Sequence, residues 1–327
     1  MRNVLVTGGT GFIGSNLAHA LLQEGCSVRV FRRRNSDLHA LGNIEAEHVI
    51  GDLRDVTSLR RALKGCDTVF HTAAMVSYWR KEREEMYDVN IGGTRNLVGL
   101  CLELGVKRLV HTSSVAAVGY TENGGLAQES NVFNWDQFDI GYRISKHQAE
   151  REVQRGVPHG LEAVIVNPSI VIGPRDIHFH GGQLIRDIHK KRIFYYITGG
   201  MNIVYVEDVV RGHILAARYG RSGERYILCG ENLMHKEIIS TIAGIVGGLR
   251  PMFRVPPGAV RMIAATAEEI GNVLNARPWV TRELLATSGM TYFFSCDKAK
   301  RELGYRVTPF SEAVRRTFEW YKEHGLL

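Results

Sequence analysis

Cysteine is sparse in this chain, and what there is forms no pattern. Cys26, Cys66, Cys101, Cys229 and Cys296 are odd in number, widely scattered and never paired as C-x-x-C. That argues against a disulfide framework or a thiolate zinc site and fits a reducing compartment. Long hydrophobic runs are also missing. No uncharged stretch approaches the length of a membrane span, and the apolar run at the N-terminus is short enough to be used up by a strand rather than a secretory leader. These absences predict a cytoplasmic chain with no stable membrane insertion. There are no internal repeats and no low-complexity tracts. Among thirteen histidines, His178 and His180 stand close together, but no third ligand follows at metal-binding spacing, so no metal is expected. The formal charge of +7 comes from basic residues interleaved with acids, as in Arg80–Glu85. A solvated surface explains that better than a nucleic-acid groove.

What is present points to an α/β enzyme. Apolar residues are 44% and charged residues 23%, ordinary for a globular protein. Val4, Leu5 and Val6 read as a buried strand. Gly8, Gly9, Gly11 and Gly14 form a turn satisfying G-x-G-x-x-G, and Ile13, Leu17, Ala18, Ala20 and Leu21 recur at helical spacing until Gly25. Such a turn lets a pyrophosphate approach the backbone and meet the free N–H groups at the helix start, so a dinucleotide site is predicted.

Strand-like runs follow at 28–31, 46–50, 68–72, 108–112 and 163–167. They alternate with helical patterns near 58–63, 87–104 and 142–154. The alternation predicts a Rossmann-type doubly wound parallel sheet over 1–166. From Asn167 the rhythm breaks at Pro168, Gly173 and Pro174. Residues 167–327 are read mainly as a smaller C-terminal substrate-binding lobe, with some segments returning to the sheet: strands near 202–206 and 225–228, helices near 209–218 and 236–246. Pro257–Ala276 is apolar enough to raise membrane-surface association, but Arg261, Glu268 and Glu269 favour an ordinary amphipathic helix.

Tyr142 and Lys146 are four apart on a predicted helix, so phenol and ammonium face one cleft. An adjacent ammonium favours phenolate, which equips Tyr142 to exchange a proton with a carbonyl/alcohol pair during hydride transfer, while Lys146 reaches the cofactor ribose. The strand Arg108–Thr112 ends in Ser113-Ser114, where a hydroxyl can hold the substrate oxygen. After the second strand, Arg32-Arg33-Arg34 replaces the acid that binds a ribose 2′-hydroxyl, and no acid appears until Asp37. Guanidinium suits a 2′-phosphate, which favours NADP(H) over NAD(H). Ser77, Tyr78 and Trp79, with Phe194, Tyr195 and Tyr196, are candidate aromatic walls or plain packing residues.

Taken with Gly51-Asp-Leu53, His71-Thr-Ala-Ala74, Val89–Thr94, Asn167–Pro174, Val204–Asp208 and Cys296–Tyr305, these motifs resemble the extended short-chain dehydrogenase/reductases along nearly the whole chain. Within that branch the chain is similar to the dihydroflavonol 4-reductase-like group and the hopanoid-associated sugar epimerases, and more distantly to 3β-hydroxysteroid dehydrogenases. The resemblance implies Ser114, Tyr142 and Lys146 as a catalytic triad, with Ser114 preferred to Ser113. It implies a cofactor site of Gly8, Gly11, Phe12, Ile13, Gly14, Arg33, Asp52, Leu53, Thr72, Ala73, Ala74, Tyr142, Lys146, Pro168 and Val171. Arg33 matches the reductases' phosphate-binding arginine, whereas Ala40 falls near where their second basic residue stands. Asn90 is expected to be structural. Helices 87–104 and 142–154 correspond to those that pair subunits in relatives, implying a homodimer. The function expected is reduction of a small, ring-bearing ketone or aldehyde. The alternatives are an NAD-retaining sugar epimerase/dehydratase and a non-catalytic cofactor sensor.

Overall fold

The computed structural model describes residues 1–122 and 124–327. Its centre is one parallel sheet of seven strands: β1 (Asn3–Thr7), β2 (Ser27–Arg32), β3 (Glu47–Ile50), β4 (Thr68–His71), β5 (Arg108–Thr112), β6 (Ala163–Pro168) and β7 (Arg225–Leu228). Their order is β7-β6-β5-β4-β1-β2-β3. The short apolar runs form a sheet buried on both sides because successive side chains alternate faces. Val4, Val6, Phe70, Val110, Val164 and Val166 pack into one core, and Leu5, Val69, Leu109, Ala163 and Ile165 into the other. Both sets are at most 1% exposed. At roughly 1.5–3 kcal/mol per large apolar side chain, this double core is the main stabilising feature.

Helices α1 (Phe12–Gln23), α2 (Val56–Leu63), α3 (Gly93–Glu103), α4 (Gly141–Gly156) and α5 (Val206–Tyr219) supply the covering layers. Leu17, Ala18 and Leu21 of α1 and Ile214 of α5 join the first core. Leu59 of α2, Leu97 of α3 and Val153 of α4 join the second. The strand order reverses between β1 and β4, which opens a crevice at their carboxyl ends where doubly wound folds bind ligands.

One predicted helix carries an irregular turn. The helix near 87–104 runs from Arg83 to Glu103, with Arg83–Tyr87 α-helical, Asp88–Gly92 a π-helical turn and α3 following. The turn aims Asn90 inward, where Oδ1 accepts from Met75 N at 2.7 Å and Nδ2 donates to Met75 O and Ser145 Oγ. Apolar periodicity is blind to such a one-residue insertion.

After β6 the chain builds a smaller three-stranded sheet from Ile170–Ile172, Gly200–Tyr205 and Glu231–Met234, and between the last two of these it adds β7 to the edge of the main sheet beside β6. Helix α6 (Pro257–Val273) is amphipathic. Ala264, Ala267 and Glu268 are buried while Met262, Ile263, Ile270 and Val273 are exposed. Among the described residues no helix is long and apolar enough to cross a membrane.

Candidate active site

Local backbone chemistry shapes the crevice. Gly8 has φ +69°, and a Cβ there would stand 2.6 Å from Ala73 Cα. A Cβ on Gly14 would meet Thr72 Oγ1 at 2.7 Å and run into the Gly8 carbonyl. Only glycine permits this close approach of β1, α1 and the end of β4. Gly11 N-caps α1 without a side-chain bond, and the first turn carries no acid, so its leading N–H groups are left for an anion.

Two joined cavities extend from this turn. One, of about 540 Å³, is lined by Gly8, Gly11, Arg33, Asp52, Leu53, Thr72, Ala73 and Ala74. The other, of about 400 Å³, is lined by Gly11, Phe12, Ile13, Gly14, Ser114, Tyr142, Lys146, Pro168 and Val171. Every residue expected for the triad and the cofactor site thus borders one of these two joined cavities. The residues present fit a dinucleotide by backbone chemistry: the glycine turn and the free N–H groups at the start of α1 would take its pyrophosphate.

The arginines differ in readiness. Arg32 is engaged, Nε donating to His48 Nδ1 at 2.9 Å. Arg34 lies off the cleft lining. Arg33 lines the cleft, and its guanidinium has no hydrogen-bond partner among the described residues. Asp37 also reaches the lining, its Oδ1 accepting from His39 N at 2.9 Å. Asp52 is held by a two-pronged pair with Arg54, and that pairing lowers its pKa.

At the inner end, Ser114 Oγ accepts from Ala116 N at 3.1 Å, leaving the hydroxyl proton free to point outward. The Tyr142 phenol is raised by burial, opposed by the nearby Ser114 hydroxyl. The expected influence of the ammonium on the phenol is not what this structure displays. Lys146 Nζ instead donates to Thr112 O at 2.7 Å, and burial lowers it to about 8 against the pull of Glu150 one turn later. Glu150 is buried too, accepting from Asn167 Nδ2 at 2.6 Å and pairing with Arg225 at 3.3 Å. Ser113 Oγ is buried with no hydrogen-bond partner among the described residues, whereas Ser114 lines the cavity with Tyr142.

The aromatic walls are partly those anticipated. Tyr78 packs on Tyr142, ring centroids 5.6 Å apart, and lines the cavity. Trp79 instead donates Nε1 to Asn272 Oδ1, and Ser77 donates to Glu82. Phe194 and Tyr195 pack against Phe253 away from the cleft. Their places are taken by Trp135, Tyr292 and Phe294, with Arg143 beside them. No sequence signal ties residue 292 to 142. His178 and His180 border the cleft, and among the described residues no three His, Cys, Asp or Glu side chains gather to hold a metal ion.

Known proteins agree with this geometry. A Synechocystis sp. protein provisionally named dihydroflavonol 4-reductase is 35% identical over 98% of this chain and 94% of its own length. Sterol demethylase protein B of Methylococcus capsulatus is 34% identical over 99% of each. The crystal structure of gox2253 superposes with a TM-score of 0.87 at 39% identity, covering all of both chains. The model of the NAD dependent epimerase/dehydratase family matches residues 4–229. The chain belongs to that family, and it is an NAD(P)-dependent enzyme of the extended dehydrogenase/reductase type.

Proposed function

We propose that this enzyme uses NADPH to reduce a ketone or aldehyde on a small, ring-bearing molecule. The observation that carries the reading is Tyr142, its phenol kept protonated by burial and set against the Ser114 hydroxyl at the inner end of the cleft. When bound, the nicotinamide supplies hydride to the carbonyl carbon. Tyr142 donates its proton to the carbonyl oxygen, and Ser114 donates a hydrogen bond to the same oxygen as negative charge develops there. Lys146 holds the cofactor ribose, and the glycine turn with the α1 N-terminus holds the pyrophosphate. Tyr78 and Tyr292 line the cavity as walls for the substrate ring, with Trp135 packed behind them under Arg143. A phenol whose pKa is raised suits proton donation, hence reduction. Arg33 supports NADP(H), since its unengaged fork matches a 2′-phosphate by charge and shape.

The test is NADPH consumption followed optically across a panel of cyclic ketones and aldehydes, with the alcohol product quantified. Equimolar NADPH loss and alcohol formation is expected. Tightly held NAD in the purified protein, with no NADPH oxidation across the panel, overturns the reading in favour of an epimerase or dehydratase. We further propose that α3 and α4 pair two copies of the chain into a homodimer.

A further inference from the structure

The inner cavity carries a charge that the reduction chemistry leaves unused. Arg143 follows Tyr142 on α4 and lines the same cavity. Its guanidinium lies 3.6 Å from the Trp135 ring centroid and 5.6 Å from that of Tyr292, and Nη2 donates to Thr287 Oγ1 at 3.1 Å. The group is therefore clamped in plane and at one end. Its other end is not: Nη1 is buried and has no hydrogen-bond partner among the described residues.

No counter-ion comes from the chain. The cavity lining holds no Asp or Glu. The acids of the neighbouring loops are committed elsewhere: Glu283 to Arg83 and Arg80, and accepting from Gly141 N, and Asp139 to the same two arginines. Lys146, by contrast, has Glu150 one turn away. A desolvated guanidinium with an empty donor is costly unless something else brings the anion. Tyr78, Trp135 and Tyr292 stand among the walls around it.

We propose that the Arg143 guanidinium receives a carboxylate of the substrate, so that the enzyme acts on a ring-bearing oxo acid whose carbonyl meets Tyr142 and Ser114. This rests on the reading that those two hydroxyls take the carbonyl oxygen. One clamped arginine with no counter-ion from the chain matches one carboxylate. A diphosphate asks for further cations, and Lys146 is the only other Lys or Arg among the described residues lining this cavity. Arg143 then sets specificity: it selects for the charge on the substrate and orients the ring against Tyr78 and Tyr292.

The test compares 3-oxocyclohexanecarboxylate with its methyl ester as NADPH-dependent substrates, and cyclohexanecarboxylate with its amide as ligands of the enzyme–NADP⁺ complex by calorimetry. Wild type is expected to prefer acid to ester at least tenfold in kcat/KM and to bind the acid, not the amide. Arg143→Met should collapse both preferences to near unity, and Arg143→Lys should restore part of them. Equal handling of acid and ester by wild type overturns the proposal. So does an Arg143→Met protein that loses acid and ester turnover by the same factor, which is the mark of a structural prop. If neither compound is turned over, the reductase reading fails, while the calorimetry still decides whether Arg143 binds a carboxylate.

Discussion

Burial moves the two titratable partners of the site in opposite directions, raising the Tyr142 phenol and lowering Lys146 to about 8. Below that value Lys146 is an ammonium able to donate to ribose hydroxyls, and above it the charge is lost. NADPH affinity should therefore weaken as pH rises through about 8, and titrating the dissociation constant in Lys146→Arg should remove that step. Replacing Tyr142 by Phe deletes the proton donor and should lower kcat by about 10²–10⁴-fold with NADPH binding retained. A full-rate Tyr142→Phe enzyme would refute the assignment. Arg33→Ser should raise the KM for NADPH by tenfold or more and leave that for NADH nearly flat, measurable by steady-state kinetics with each cofactor. Tyr142, Lys146 and Arg33 were legible because each lies within a few residues of a local signal. Arg143 sat in the same motif unread, since nothing in the sequence says that its flank is Trp135 and Tyr292.

At the scale of elements, the π-helical turn shows how a site is tied to its scaffold. Asn90 ties its turn to two other pieces, the loop after β4 through the backbone N–H and carbonyl of Met75 and helix α4 through Ser145. Asn90→Ala leaves the Met75 N–H and carbonyl without those partners, at roughly 1–3 kcal/mol. A lowered denaturation midpoint together with a lower kcat is expected, because Tyr142 lies on α4. Wild-type stability in that variant would mean that water replaces the amide at no cost. The strands of the main sheet were readable as apolar runs, and their boundaries moved by only a residue or two. The π-helical turn at Asp88–Gly92 was not, because the inserted residue leaves the apolar pattern on either side intact.

Across the whole molecule, three histidines sit in or against the sheet under the site. His71 is lowered to about 3, His213 to about 4 and His111 well below its ordinary value, all chiefly by burial. Their folded pKa values lie below the unfolded one, so the unfolded chain binds more protons as soon as pH drops under about 6.5. Stability present at neutral pH is then lost on acidification toward 4, at up to roughly 1.4 kcal/mol per pH unit for each histidine. Neither nitrogen of His111 has a hydrogen-bond partner among the described residues. His111→Phe should thus flatten the fall in urea-unfolding free energy between pH 6.5 and 5 by about one proton's worth, and an unchanged slope would contradict this account. The proposed pairing of α3 and α4 predicts twice the chain mass by light scattering at micromolar concentration, and a monomer would exclude it.

The amino-acid sequence by itself determined the doubly wound sheet, the glycine turn and the helical pairing of Tyr142 with Lys146. Each depends on interactions within a few residues, where side-chain periodicity and backbone freedom decide the outcome. Tertiary structure alone decided what surrounds those groups. Burial, not the lysine, sets the Tyr142 phenol, and segments some 150 residues apart meet around Arg143. Such contacts depend on how the lobe after β6 folds back over the sheet, and no local pattern encodes that distance.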